Sequence, residues 1–172
     1  MAGGRRAVAV SHLAPVLLTG TVALYMALVA FGNITDFDTN RAFVQHVLAM
    51  DTTFKDPDLM WRAITSRPLQ DAAYIAIIAW ETAAAAVLVV ATALWVLRRE
   101  RARRLAALGL VMVLLLFGAG FLAIGGEWFA MWQSKTWNGL EAATRNIVLA
   151  GIALLVVQLS PAAATRGKAG TG

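Results

Sequence analysis

Cysteine is absent from this chain. No disulfide can staple its loops, and no thiolate can act as nucleophile or metal ligand. Charge is scarce as well. Only 15% of the 172 residues are charged, while 59% are hydrophobic. An ordinary soluble domain of this size needs more charge on its surface. Histidine occurs twice, at His12 and His46. Neither lies deep in an apolar run, which argues against a haem held between helices. The sequence has no G-x-S-x-G, P-loop, G-x-G-x-x-G, H-E-x-x-H or C-x-x-C motif, so none of the chemistries those motifs build is signalled.

What the chain has instead is long uncharged windows. No Asp, Glu, Lys or Arg falls between Arg6 and Asp36, between Arg104 and Glu127, or between Arg145 and Arg166. Between Asp71 and Arg98 the only charge is Glu81. About 20 helical residues cross a bilayer core, and each window is long enough. The expected fold is all-α, a four-helix transmembrane bundle with spans near 13–32, 71–97, 105–125 and 143–160. Residues 1–161 form one transmembrane domain, and the Gly/Ala-rich residues 162–172 form a disordered cytoplasmic tail. Residues 5–32 also suggest a signal peptide. The apolar stretch is longer than a usual signal core, however, and no clear A-x-A site follows it, so an uncleaved helix is expected.

The net charge of +5 is unevenly placed. Arg5 and Arg6, the loop Arg98–Arg104, and Arg166 with Lys168 hold nine bases against one acid, Glu100, a net +8. With four crossings these segments share a side. Everything else holds six bases and nine acids, a net −3. This is the positive-inside pattern, and both termini should be cytoplasmic. The basic loop is an orientation signal that also suits anionic lipid, and nucleic acid is not an expected partner.

Residues 33–70 and 126–142 then lie on the extracytoplasmic side. In 41–50 the apolar residues recur at helical spacing, with Thr39 or Asn40 placed to cap. Asp56 and Pro57 suit the start of a second short helix. Ala76, Ala79, Ala83 and Ala86 make a small-residue stripe for close packing, and Gly118, Ala119 and Gly120 serve the same end. Helices two and three join through the tight Arg-rich turn, so they must be antiparallel neighbours.

Glu81 is the most informative residue. It lies roughly 15 Å beyond Asp71 along a helix, near the bilayer centre. A charge there costs at least about 2.5 kcal/mol. Glu81 must therefore face the bundle, and be paired, hydrated or protonated. Arg145, about one turn inside the last helix, either snorkels to the surface or pairs with Glu81 or Glu127. His46 is four residues before Met50, a spacing that could serve copper, but one such pair is far short of a site and no metal is assigned. Trp61, Trp128, Trp132 and Trp137 fall at the outer boundary, where indole is favoured, and Trp95 at the inner one. Trp128 and Trp132, at i and i+4, would share a helix face. Trp80, beside Glu81, is expected to be buried deep. An aromatic belt accounts for most of them; an aromatic-walled pocket is the alternative.

The stretches GNITDFDTNRAFVQHVLAMDTTF (32–54), MWRAITS (60–66), AWE (79–81) and GGEWFAMWQSKTWNG (125–139), together with Arg145, resemble a bacterial family of predicted small integral membrane proteins, domain of unknown function 2165. The resemblance covers about residues 12–161. It implies a four-helix inner-membrane protein and supplies no catalytic residues. The expected function is a non-enzymatic membrane module, either self-associating or an accessory subunit of a larger complex, with the bilayer as its surroundings and no cofactor. The alternative is a pocket facing outward, floored by Glu81 and bounded by Glu127, Arg145 and His46, for a proton, cation, quinone or lipid. A copper-handling enzyme built on His46 and Met50 is the third and weakest reading.

Overall fold

A computed structural model describes residues 2–160, with side chains from residue 13 onward. The tail expected at 162–172, and the stop expected at Pro161, lie outside the described residues. The described residues form five helices: α1 (Ala2–Thr35), α2 (Phe37–Ala49), α3 (Arg67–Val96), α4 (Ala102–Trp128) and α5 (Leu140–Leu159). No strand occurs among the described residues. Four stretches are long and apolar enough to cross a membrane: Leu13–Thr35, Arg67–Val96, Ala102–Trp128 and Leu140–Leu159. All four expected spans are there, each shifted or lengthened by a few residues. The largest consequence is at α1, which continues past residue 32 and carries Asn33 as a helical residue.

The spans pack in the order α1, α3, α4, α5, with α5 returning to α1. Each helix turns a heptad-like stripe inward. On α5 the stripe is Ala143, Asn146, Ala150, Ala153 and Val157. On α3 it is Tyr74, Glu81, Ala84, Leu88, Ala91 and Trp95. Spacings of three and four keep such residues on one face. Small residues let backbones approach. A Cβ on Gly109 of α4 would stand 2.6 Å from Leu88 Cγ, so only glycine fits that crossing. The alanine stripe expected to pack, Ala76, Ala79, Ala83 and Ala86, is instead exposed on the outward face of α3. It is offset from the true seam by about a quarter of a turn or more, as the 100° step of a helix dictates.

At the Arg-rich turn Arg98 takes a left-handed conformation (φ 53°), which reverses the chain tightly. Arg103 then reaches across to the Gln158 carbonyl near the end of α5. α5 stops at Ser160, which is extended (ψ 137°), as the residue before a proline tends to be.

At the opposite end α2 lies across the bundle. It stops at Met50, again left-handed (φ 52°). Arg41 makes a two-pronged ion pair with Asp71 at the start of α3, at 2.6 and 2.8 Å. That bond raises the Arg41 guanidinium above its ordinary value. The second expected short helix is reduced to a single tight turn, Met60–Arg62. Asp56 does not cap it: Leu59 precedes the turn, and Asp56 instead accepts the Asp58 N–H at 3.0 Å in the loop before it. Met50, Phe129 and Ala130 make a small second core that ties this segment to the 129–139 loop. Thr52 Oγ1 donates to Ser134 Oγ at 2.9 Å, and Phe54 N–H to Gln133 Oε1 at 2.8 Å.

From Leu115 to Trp128, α4 is wound more loosely, with i to i+5 hydrogen bonding in place of i to i+4. Such wide turns are rare and commonly mark functional positions. Here the wide segment carries Phe117 and Phe121 toward α2.

Candidate functional site

Between the α2 end of the bundle and its middle lies a cavity of about 250 Å³. Its floor is Glu81, only 3% exposed. The carboxyl accepts one hydrogen bond, from Asn33 Nδ2 to Oε2 at 2.7 Å. Asn33 Oδ1 in turn accepts from Asn40 Nδ2 of α2 at 2.6 Å. Tyr74 donates its hydroxyl to the Asn33 backbone carbonyl at 3.3 Å. A line of carboxamides thus runs from exposed Asn40 through Asn33 to the buried acid. From α5 comes Asn146, 5% exposed. Tyr25 of α1 also lines the space. The remaining wall is apolar and aromatic. Phe117 and Phe121 stand 5.4 Å apart by centroid, and Phe43 of α2 stacks on Phe121 at 6.4 Å. Gly139 matters here: a Cβ would meet Phe43 at 3.0 Å, so its absence lets α2 settle on the bundle.

The buried acid follows from the sequence in physical terms. A carboxyl inside a membrane bundle must find donors within the protein. α1 supplies one because it stays helical through Asn33. Glu81 and Asn146 line a common space, so a group inside it meets both.

The family model of predicted small integral membrane proteins, DUF2165, matches residues 11–160. The chain belongs to the DUF2165 family. Its four apolar helices, long enough to cross a bilayer, agree with that description. No curated protein and no solved structure matches the chain.

In this DUF2165 protein the residues singled out by sequence are dispersed. Glu81 lines the cavity. Glu127 and Arg145 are exposed, and neither pairs with Glu81 or with the other. Arg145 is one residue, and so about 100° of helix rotation, away from the inward Asn146. His46 belongs to a surface arrangement. Its Nδ1 lies 2.8 Å from Asp51 Oδ2, and its ring stacks on Trp137 at 4.6 Å. Met50, its suggested partner for copper, is buried in the small second core. Among the described residues no group of three or more His, Asp or Glu side chains stands close enough to hold a metal ion.

The tryptophans divide differently from the expectation. Trp128 ends α4 and Trp132 sits in the turn Met131–Gln133. Left-handed Ala130 separates them, so they do not share a helix face. Trp61 packs edge-on against Trp128 at 5.5 Å, and the Arg62 guanidinium lies over both rings. Trp132 meets Phe54 edge-on at 5.9 Å. Trp80 faces outward at span depth and donates its indole N–H to the Met112 carbonyl at 2.9 Å. Trp95 is buried. None of the five tryptophans expected in a belt or pocket lines the cavity; its aromatic wall is phenylalanine and tyrosine.

Asn33, Asn40, Tyr74 and Asn146 were not visible as site residues from sequence. Asn146 had a readable signal: it is the one strongly polar residue in an otherwise Ala/Val stripe at heptad spacing on α5. Asn33 had none, because it falls where the apolar window ends.

Proposed function

We propose that this protein binds a small polar ligand within the bundle, in the cavity floored by Glu81. The observation that carries the reading is that Glu81 and Asn146, polar residues only 3% and 5% exposed, line one cavity inside the bundle. A group that hydrogen-bonds to both is favoured there. The lining holds one acid and, among the described residues, no His, Lys, Ser or Thr beside it. That composition supports binding or passage over bond-breaking chemistry. The positive-inside charge bias supports a bacterial inner membrane, with the Arg-rich turn and both termini cytoplasmic. The cavity then opens on the α2 side, extracytoplasmically.

The test is native mass spectrometry of protein purified in mild detergent. The unsubstituted chain is expected to carry a co-purified small molecule that is lost from Glu81→Gln and from Asn146→Leu. Identical small-molecule content in all three would contradict the reading.

One observation favours a second reading, a self-associating module or accessory subunit. Ala76, Ala79, Ala83 and Ala86 form a small-residue stripe on the outward face of α3, the kind of face on which membrane helices meet. This reading predicts a dimer or larger assembly in mild detergent. A lone monomer under several gentle conditions would end it.

A further inference from the structure

We propose that the ligand of the Glu81 cavity is a small organic ammonium ion, a protonated or quaternary amine with a short apolar substituent. The inference rests on the cavity reading above and adds the ligand's charge and size. Charge is the first argument. Among the described residues the lining includes one ionisable acid, Glu81, and no Lys, Arg or His. Arg145, the one nearby base on α5, is exposed and turned out of the cavity. An anionic ligand would meet a carboxyl with no compensating cation. A quinone or other carbonyl ligand brings acceptors only, and satisfies Glu81 only in its protonated form. An ammonium supplies both the opposite charge and N–H donors.

The walls give the second argument. Phe117 and Phe121 are 5.4 Å apart, and Phe43 joins them from α2. Aromatic faces attract cations within about 6 Å of the ring centroid and also accept an apolar substituent. Tyr25 and Asn146 add oxygen acceptors to the lining. Size is the third argument. The cavity holds about 250 Å³, below the range of roughly 300–1,000 Å³ usual for drug-sized ligands. A small amine fits; a large multi-ring cation does not.

The experiment compares three near-isosteric probes, benzylammonium, benzyl alcohol and benzoate. Binding to the full chain in detergent micelles is followed by calorimetry and ligand-observed NMR, with empty micelles as the blank. Benzylammonium is expected to bind at least about tenfold more tightly than benzyl alcohol, the difference one charge-assisted bond provides, with benzoate weakest. Glu81→Gln is expected to abolish the preference for the ammonium while thermal unfolding shows the fold intact. Asn146→Ala is expected to weaken benzylammonium binding and to keep the preference. Should Glu81→Gln fail to fold, the order of the three probes and the Asn146→Ala result decide alone. Equal binding of the alcohol and the ammonium, or tightest binding of benzoate, overturns the charge assignment and leaves the cavity reading standing. No binding of any probe overturns both.

Discussion

The two halves of the bundle are built from the same four helices and solve different problems. Toward the Arg-rich turn, the seam is Leu88, Ala91, Trp95, Ala102, Ala106 and Leu110, all buried, with Gly109 pressed against Leu88. Toward α2, the same seam carries Asn33, Tyr74, Glu81 and Asn146, and the helices part around a cavity. The change falls close to where α4 loosens its winding at Leu115. One half is closed by small and apolar residues that interlock. The other holds polar groups that face a cavity. In a membrane this contrast is informative, because burying a polar group is costly and no water in the lipid core relieves it. The closed half accounts for the bundle's coherence; the open half carries features that coherence alone does not need.

The contrast can be broken from the closed side with the largest effect. Gly109→Val puts methyl groups into Leu88 and should destabilise the protein by about 3 kcal/mol, read as a lower midpoint of thermal unfolding in detergent. An unchanged midpoint would mean that the α3–α4 crossing is looser than the contact at Gly109 implies. A smaller loss is expected at the boundary. Asn33→Ala removes the donor to Glu81 seen among the described residues and severs the link to Asn40. It should cost about 1–2 kcal/mol and make α2 amides exchange faster with deuterium. If α2 protection is unchanged, the carboxamide line does not hold α2 in place. The smallest effect sharpens the comparison. Arg145→Gln alters an exposed residue outside both the seam and the cavity, and should shift the midpoint by no more than about 0.5 kcal/mol. A loss as large as that of Asn33→Ala would show that Arg145 supports the buried acid after all.

The sequence showed the spans well because an apolar window of about 20 residues without charge suits a bilayer core and little else. It also showed that Glu81 must face inward. It misled about neighbours. Arg145 and Glu127 looked like partners because charge was sought to match charge, whereas the bundle matches Glu81 with a carboxamide from α1. The alanines at 76, 79, 83 and 86 looked like a packing seam because small residues suit seams. The real seam of α3 mixes Tyr74, Glu81, Ala84, Leu88 and Trp95 and has no single composition to read. Trp128 and Trp132 misled for a local reason: left-handed Ala130 breaks the helical spacing, and an alanine gives no warning of that conformation. The loosened half of α4 was equally hidden, since nothing in LLFGAGFLAIGGEW marks a change of winding.

The absence of cysteine makes the most direct test clean. Asn146→Cys places a thiol in the wall of the cavity, and Leu88→Cys places one in the closed seam, each as the only thiol in the chain. A water-soluble, positively charged methanethiosulfonate reagent is added to protein in sealed vesicles of known orientation, and labelling is followed by mass. The account predicts that Asn146→Cys is labelled from the α2 side and protected by benzylammonium, while Leu88→Cys stays unlabelled. Equal labelling of the two, or none at Asn146→Cys, would contradict the division between a closed half and an open one.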